Sequence, residues 1–524
     1  MPDIANKLLK TFKTPIFGGM LALTLLISFS YYLRVNDFNN TVATNNLDAT
    51  FHTLLTVTAL SEAHEKNNYF LPTVTLGAEQ DKNIPWGAAL PTKTGDYIYA
   101  SFPPIGFLAP HFWLKTLSLA PTVQNIANFN FILGGVTLFF LFFLLKSILC
   151  FYGAEEWVAV GGALIGSSVG IFSREALQSQ GVVYWNHSLY QPIMAAFLLM
   201  IYKHISPNEN TTHRFTYTAI VCLAFVLALT EWTGYIFNIG LFLCLLIFRK
   251  KITKDFRTLS ISIAVATIIS GLLTVFHFGL ALGFEPTLKA LLSRGAARSA
   301  SNGNIFDLLN GYLLSYGIFI YASVVSVFLI YRAGKFHSMN QAQLIVFIFI
   351  CSLFPLLENI LLLNHATSYS FDRLKFVFPA SFLLAFGFYF SSKYLRAALS
   401  ILLVIAGIFG YMDYRNGINR LSDWSSMDLA NRHLKDKITE IADLDCSILA
   451  TNLDVRGYAN LLFHRGIYEL KSMEEADLIF KNAKACSLIY LEGQWSIPPY
   501  FFFPKYDRAY ITNASGKQTV ILSE

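Results

Sequence analysis

The stretch IANFNFILGGVTLFFLFFLLKSIL, residues 126–149, carries one charge, Lys146. A helix needs about twenty predominantly apolar residues to cross a hydrocarbon layer. Similar runs recur at 15–34, 156–172, 183–202, 215–230, 232–248, 258–283, 308–331, 342–363, 374–391 and 397–412, about eleven spans in all. Composition agrees: 54% of residues are hydrophobic, 15% aromatic and 14% charged, against roughly a quarter charged in soluble domains, and the mean hydropathy is +0.48. Disordered, collagenous and small disulfide-scaffold classes are excluded. Lys+Arg 39 against Asp+Glu 33 leaves +6, too small a surplus to argue for nucleic-acid binding.

The run SFPPIGFLAPHFWLKTL from Ser101 holds three prolines and Lys115, and reads as an interfacial or re-entrant segment. With eleven spans and an inside amino terminus, Lys7, Lys10, Lys13, Lys146, Lys203, Arg214, the block Arg249, Lys250, Lys251, Lys254 and Arg257, and then Arg332, Lys335, Lys393 and Arg396 face the cytoplasm. Short outer loops hold Arg34, Arg174, Lys289, Arg294, Arg298, Arg373 and Lys375, so the positive-inside rule is met. The first span lacks a cleavage site and reads as an anchor. The expected architecture is a polytopic all-α membrane domain over 1–414, with a long first extracytoplasmic loop at 35–125, and a small extracytoplasmic α/β domain over 415–524. That places the chain in the cell inner (cytoplasmic) membrane.

The carboxy-terminal part alternates helical patterns (WSSMDLANRHLKDKITEIA, GYANLLFH) with strand-like ones (CSILAT, CSLIYLE, AYITNAS) and an acidic turn, SMEEAD. Four of the six cysteines (Cys150, Cys222, Cys244, Cys351) lie in or beside apolar runs. Cys446 and Cys486 share the domain expected in an oxidising compartment, where a disulfide is an open alternative to two thiols. No CxxC pair or HExxH occurs and the eleven histidines are scattered, so no cofactor or metal-ligand motif is read, and a divalent cation stays an open alternative that the sequence does not indicate.

Ionisable side chains near hydrocarbon cost several kcal/mol unless paired or wet, which makes them the first place to look for function. In this topology they gather on the outer face. Asp37, Asp48 and His52 lie in the first loop; Arg174 and Glu175 follow the third span; Glu231 follows the fifth; Glu285, Arg294, Arg298 and Asp307 follow the seventh; Glu358, His365, Asp372, Arg373 and Lys375 surround the loop after the ninth. Acids able to take a proton beside cations able to hold a phosphate suit a polyprenyl-phosphate substrate. Tyr69, Trp86, Tyr97 and Tyr99 are candidate cavity walls, although an aromatic belt explains them equally well.

The order of features resembles the GT-C superfamily of integral-membrane glycosyltransferases, which includes dolichyl-phosphate-mannose protein mannosyltransferases and bacterial aminoarabinose transferases. An anchor is followed by NNLDATFHTLLTVTALSEA, where an acid opens a loop helix. SFPPIGFLAPHFWLK is similar to the family's "HPPL" run, with Phe102 where His is usual. SREALQSQGVVYWNHSLYQP follows a span pair. ALTEWTGYIF is similar to the "LTK" segment, with Glu231 in place of Lys, and HATSYSFDRLKFVFP is similar to the stretch that opens a late span. The resemblance implies inverting transfer of a sugar from a polyprenyl-phosphate-linked donor to a lipid, glycan or protein acceptor on the extracytoplasmic face. It implies an acidic first-loop base, Asp48 before Asp37, with His52 one turn on. For Asp48 the alternative is helix N-capping. Phosphate contacts fall to Arg373 first, then Lys375, Arg174, Arg294 and Arg298, whereas Glu231, Glu358 and His365 are substrate contacts or partners of those cations. A secondary transporter and a non-catalytic envelope-assembly protein are the alternative classes; no repeated halves support the first.

Overall fold

The computed structural model describes residues 14–38, 42–44, 46–64, 68–77, 84, 88–206, 213–248, 255–299, 303–333, 339–420, 422–453, 457–483, 485–495, 504–513 and 516–521. Trp86, Lys7, Lys10, Lys13, Lys335 and the basic block Arg249, Lys250, Lys251 and Lys254 lie outside these residues.

The chain opens with α1 (Pro15–Arg34), β1 (Val42–Thr44), α2 (Leu47–Ala59), the hairpin β2 (Ala89–Pro91) and β3 (Tyr97–Tyr99), and α3 (Ile105–Thr116). The helix bundle continues through α4 (Val123–Phe151), α5 (Glu156–Phe172), α6 (Arg174–Ser179), α7 (Asn186–Ile205), α8 (His213–Thr230), α9 (Trp232–Phe248), α10 (Phe256–Leu282), α11 (Phe284–Arg298), α12 (Ile305–Tyr316), α13 (Ile318–Ala333), α14 (Met339–Leu361) and α15 (Leu363–Ser368). A 3-10 segment, Ser370–Phe376, runs into α16 (Val377–Phe390), and α17 (Lys393–Asn416) ends the bundle.

All eleven apolar runs are helical, but they are not eleven equal spans. Among the described residues seven helical segments are long and apolar enough to cross a membrane, and α12 with α13 makes an eighth if the pair, bent by 96°, is one span. The helices α5 and α9 have 17 residues each. The remaining one, α7, starts on Asn186, His187 and Ser188 and contains Pro192. Protein surrounds most of α7, including Tyr190, Gln191 and Phe197, so it need not present an apolar surface to lipid. The proline-rich run forms α3, whose 12 residues with Pro110 inside are too few to cross.

Small residues set the closest helix contacts. A Cβ on Gly166 of α5 would stand 2.6 Å from the Ser381 carbonyl of α16 and 2.7 Å from Leu145 of α4. The backbones of α5 and α16 and the Leu145 side chain of α4 therefore meet where only glycine fits.

After α17 come β4 (Ile418–Arg420), α18 (Ser422–Ile441), β5 (Ser447–Thr451), α19 (Tyr458–Phe463), β6 (Tyr468–Glu469), α20 (Met473–Asn482), β7 (Ser487–Trp495), β8 (Pro504–Asn513) and β9 (Gly516–Ile521). The sheet order is β6-β5-β7-β8-β9, with β5 parallel to both neighbours and β7 to β9 antiparallel. Every residue of β5 is buried, as a central strand covered on both faces requires. The acidic SMEEAD turn is instead the start of α20: the Ser472 hydroxyl accepts from Glu475 N, a helix cap read as a turn. A disulfide joins Cys446 to Cys486 at the adjacent starts of β5 and β7.

This sheet domain is fastened to the first loop. β1 pairs antiparallel with β4, and Phe51, Leu54 and Val57 of α2 share one buried cluster with Leu434, Leu449 and Leu462. Each such side chain, fully buried, contributes roughly 1.5–3 kcal/mol. α2 is thus held between the bundle and the sheet domain.

Candidate active site at one end of the bundle

The ionisable residues singled out above lie at the end of the bundle formed by the carboxy termini of α1, α10, α14 and α17 and the amino terminus of α7. They divide into three groups with different partners.

The first is a buried ionic network centred on the 3-10 segment. Its tight turn sends Asp372, Arg373 and Lys375 in separate directions. Asp372 contacts His187 Nε2 through one oxygen and accepts from His365 Nδ1 at 2.5 Å through the other. His187 Nδ1 lies 3.3 Å from Glu231, which sits between α8 and α9 and accepts from Trp232 N at 3.0 Å. Lys375 Nζ donates to Glu358 Oε2 at 2.6 Å and to Asn359 Oδ1 at 3.1 Å, and the Thr233 hydroxyl also donates to Glu358. The Arg373 guanidinium donates to Ser315 Oγ and the Ala366 carbonyl, each at 2.9 Å, while Ser315 Oγ bonds Glu175 at 2.9 Å. Desolvating a charge costs several kcal/mol, which hydrogen-bonded pairing of this kind offsets. Arg373 and Lys375, expected to hold phosphate, and Glu231 and Glu358, expected as substrate contacts or as partners of the cations, are all buried and already engaged with protein groups.

A second group closes the junction between α1 and α17. Asp37 pairs with Arg415 at 2.5 Å and accepts from Tyr414 OH at 3.1 Å, and Arg34 donates to the Leu177 and Gln180 carbonyls. The Arg174 guanidinium lies against Gly417 at the end of α17. Asp37 and Arg174 therefore belong to the joint between α1, α6 and α17.

The third group surrounds α2. Its cap residue is Asn46, in the left-handed region at φ 64°, so Asp48 stands inside the first turn and is not the N-cap. Asn46 Oδ1 accepts from Ser370 N at 3.0 Å, which brings the start of α2 against the segment bearing Asp372 and Arg373. Thr50 Oγ1 donates to the Val182 carbonyl and accepts from Tyr184 N, fixing the next turn. His52, one turn after Asp48, is ringed by Tyr99, Trp185 and Phe107 at 4.3, 5.2 and 5.8 Å between ring centroids. Burial, aided by Arg294 and Arg298, pushes its imidazole down to about 3, so it is neutral at physiological pH.

Arg298 lies 4.5 Å over the Phe102 ring with Nη2 3.5 Å from Tyr99 OH, and is 7% exposed. Among the described residues no acidic side chain pairs with Arg294 or Arg298. Their Nε atoms are buried without a hydrogen-bond acceptor. Phe102, at the position where the resembled family usually has His, supplies an aromatic face to a cation instead. Sequence reasoning passed over Trp185 and the role of Phe102; an aromatic residue beside a distant arginine carries no local signal.

Below Trp232, α9 and α10 enclose an apolar groove of about 480 Å³ lined by residues including Tyr235, Asn238, Phe242, Ala264 and Gly271. Trp232 Nε1 donates to the Ser101 carbonyl, linking the head of this groove to the aromatic wall.

No protein-family model matches the sequence, and no curated protein matches it. Solved structures do. The oligosaccharyltransferase of Archaeoglobus fulgidus superposes with a TM-score of 0.57 at 11% identity, over 92% of this chain and 70% of that one. ArnT from Cupriavidus metallidurans bound to undecaprenyl phosphate gives 0.58 at 9% identity, over 90% and 92%. The Archaeoglobus protein AglB in complex with an inhibitory peptide and a dolichol-phosphate gives 0.57 at 11%, over 92% and 70%. The chain has the fold of the GT-C glycosyltransferases, a multi-pass helical membrane domain with a carboxy-terminal soluble domain.

Proposed function

We propose that the protein is a glycosyltransferase that moves a sugar from a polyprenyl-phosphate donor to an acceptor on the extracytoplasmic face of the inner membrane, with inversion. Asp48 takes the proton of the attacking acceptor group. The new bond forms at the anomeric carbon as its bond to the phosphate oxygen breaks, and polyprenyl phosphate leaves with the electron pair. Arg294 and Arg298 hold that phosphate and stabilise its growing charge. The α9–α10 groove takes the first part of the isoprenoid tail, and the rings of Tyr99, Phe102 and Trp185 wall the sugar. Arg373 and Lys375 shape the site from behind through their own partners.

One observation supports this reading: among the described residues Arg294 and Arg298 have no acidic partner, their Nε atoms are buried without an acceptor, and Arg298 reaches Tyr99, whose ring packs on His52, a single helical turn from Asp48. Burying such charges is costly unless an anion joins them. The ligands named for the structural neighbours, undecaprenyl phosphate and dolichol-phosphate, are anions of the required kind. Orientation is supported by the surplus of Lys and Arg on the other side and by the Cys446–Cys486 disulfide, a bond favoured in oxidising compartments. Residues 1–414 are then the membrane domain, with the amino terminus cytoplasmic, and 415–524 the outer domain. The test is Asp48→Asn in membranes supplied with labelled polyprenyl-phosphate sugars. Transfer is expected to fall by roughly 100-fold or more, and a wild-type rate removes Asp48 as the base.

A further inference from the structure

At the opposite end of the bundle three side chains from two helices and the cap of a third meet. His204 lies in the last turn of α7, His213 opens α8, and Asp255 immediately precedes α10. Each offers one ligand atom, and all three atoms lie within 4.8 Å of one another. His204 is 17 residues beyond His187 on the same helix, or roughly 25 Å along its axis. This cluster is therefore separate from the candidate active site.

The hydrogen bonds around His204 determine what the cluster can bind. Thr216 Oγ1 donates its proton to the His213 carbonyl at 3.2 Å, so toward His204 Nδ1, 3.0 Å away, it acts as acceptor. Nδ1 then carries the ring proton, and in the neutral imidazole Nε2 keeps a lone pair. That lone pair faces Asp255 Oδ2 at 3.1 Å. Such a pair is held together either by a proton on Nε2 or by a cation to which both atoms bind. The His213 ring stands edge-on to His204, 4.8 Å between centroids, and is exposed, which supplies a third donor and a route of entry.

We propose that His204, His213 and Asp255 form a site for a divalent transition-metal ion, zinc being the best fit. Two imidazoles and one carboxylate are borderline donors that suit zinc and not magnesium or calcium, which prefer all-oxygen shells. A tetrahedral zinc with bonds near 2.0 Å sets neighbouring ligand atoms roughly 3.3 Å apart, close to the observed His204–Asp255 separation. Thr216 is then the outer partner that fixes the tautomer of His204. Lys203, Arg214 and Arg257 lie beside the ligands in sequence. Their charge selects for an ion held by short dative bonds over one attracted from a distance. Bound metal joins α7, α8 and α10 at the end remote from the candidate active site. None of this depends on the proposed transferase activity.

The test uses the full chain in detergent, purified without a polyhistidine tag, stripped with chelator and equilibrated with zinc; cobalt serves as an optical probe. His213→Ala and Asp255→Asn are compared with wild type, and Cys222→Ser controls for the exposed thiol. Wild type and Cys222→Ser are expected to hold one zinc per chain and to gain thermal stability from it. Both ligand variants should match wild type in Tm in chelator but bind roughly 100-fold more weakly. The proposal fails if wild type takes up no zinc at about 10 µM, leaving a protonated His204–Asp255 ion pair only. It fails equally if the ligand variants bind as wild type does.

Discussion

Replacing Arg298 with alanine separates a phosphate-binding arginine from a structural one. Among the described residues Arg298 has no acidic partner, so its loss strands no carboxylate there. The stabilising contacts it gives up are the stack on Phe102 at 4.5 Å and a long bond to Tyr99 OH at 3.5 Å. Together they are worth about 1 kcal/mol, partly offset by relief of the crowded charge beside Arg294. Charge-assisted hydrogen bonds to a phosphate are worth about 1.5–3 kcal/mol, which predicts a fall in kcat/KM of roughly 10- to 150-fold. If the guanidinium acts on charge that develops during bond cleavage, the loss is in kcat; if it only holds the ground state, KM rises. The assay is transfer from a labelled polyprenyl-phosphate sugar in detergent micelles, alongside thermal unfolding. Arg373→Ala is the contrast, because it removes the donor to Ser315 Oγ and the Ala366 carbonyl within a buried network, and stability falls first. A wild-type kcat/KM for Arg298→Ala, or activity that merely tracks lost stability, refutes the assignment.

Lys375→Met leaves Glu358 buried and facing only Thr233, and should destabilise the protein by about 3–5 kcal/mol, read by thermal unfolding; a cost below about 1 kcal/mol contradicts a buried pair. Gly457, at φ +82°, packs against the His52 amide so closely that a Cβ would stand 3.1 Å from it. Gly457→Ala should cost about 1–3 kcal/mol and lower activity by shifting α2, and unchanged unfolding and kinetics would show that the contact has no role. His464 Nε2 pairs with Glu62 at 2.8 Å, and that hydrogen bond raises the imidazole above its ordinary 6.5. A raised folded-state value means that the pair's contribution is complete below about pH 6.5 and disappears as pH climbs through the folded value. Hydrogen exchange in α2 and α19, corrected for intrinsic rates, should therefore quicken from pH 6.5 to pH 8.5, and Glu62→Gln should abolish that dependence.

The membrane architecture was legible because a span writes its own length into the chain: residues 126–149 are apolar almost without interruption, and α4 covers them. Burial by protein was not legible in the same way. α7 is polar at its start and broken by Pro192, yet it occupies the middle of the bundle with Tyr190, Gln191 and Phe197 enclosed. Hydropathy reports transfer to lipid, and a helix wrapped by other helices is released from that requirement. The union of the first loop with the sheet domain was equally hidden, since β1 and β4 are three-residue strands separated by almost the whole membrane domain.

The outer-face charges were legible as a set but not in their division of labour. Arg373 and Arg298 look alike in sequence, each an arginine in an outer loop between apolar runs. What separates them lies far away along the chain. Arg373 finds Ser315, 58 residues earlier, and spends its donors there, whereas Arg298 meets the Phe102 ring and the Tyr99 hydroxyl and, among the described residues, no carboxylate. A buried arginine with an acceptor of its own has little left for a ligand. One held on ring faces keeps most of its donors and carries an unneutralised charge, which makes anion binding favourable in proportion to the desolvation already incurred. The same logic demotes Asp37, already neutralised by Arg415, whereas Asp48, the acid we propose as the base, lies on a helix pinned by Asn46, Thr50 and Gly457.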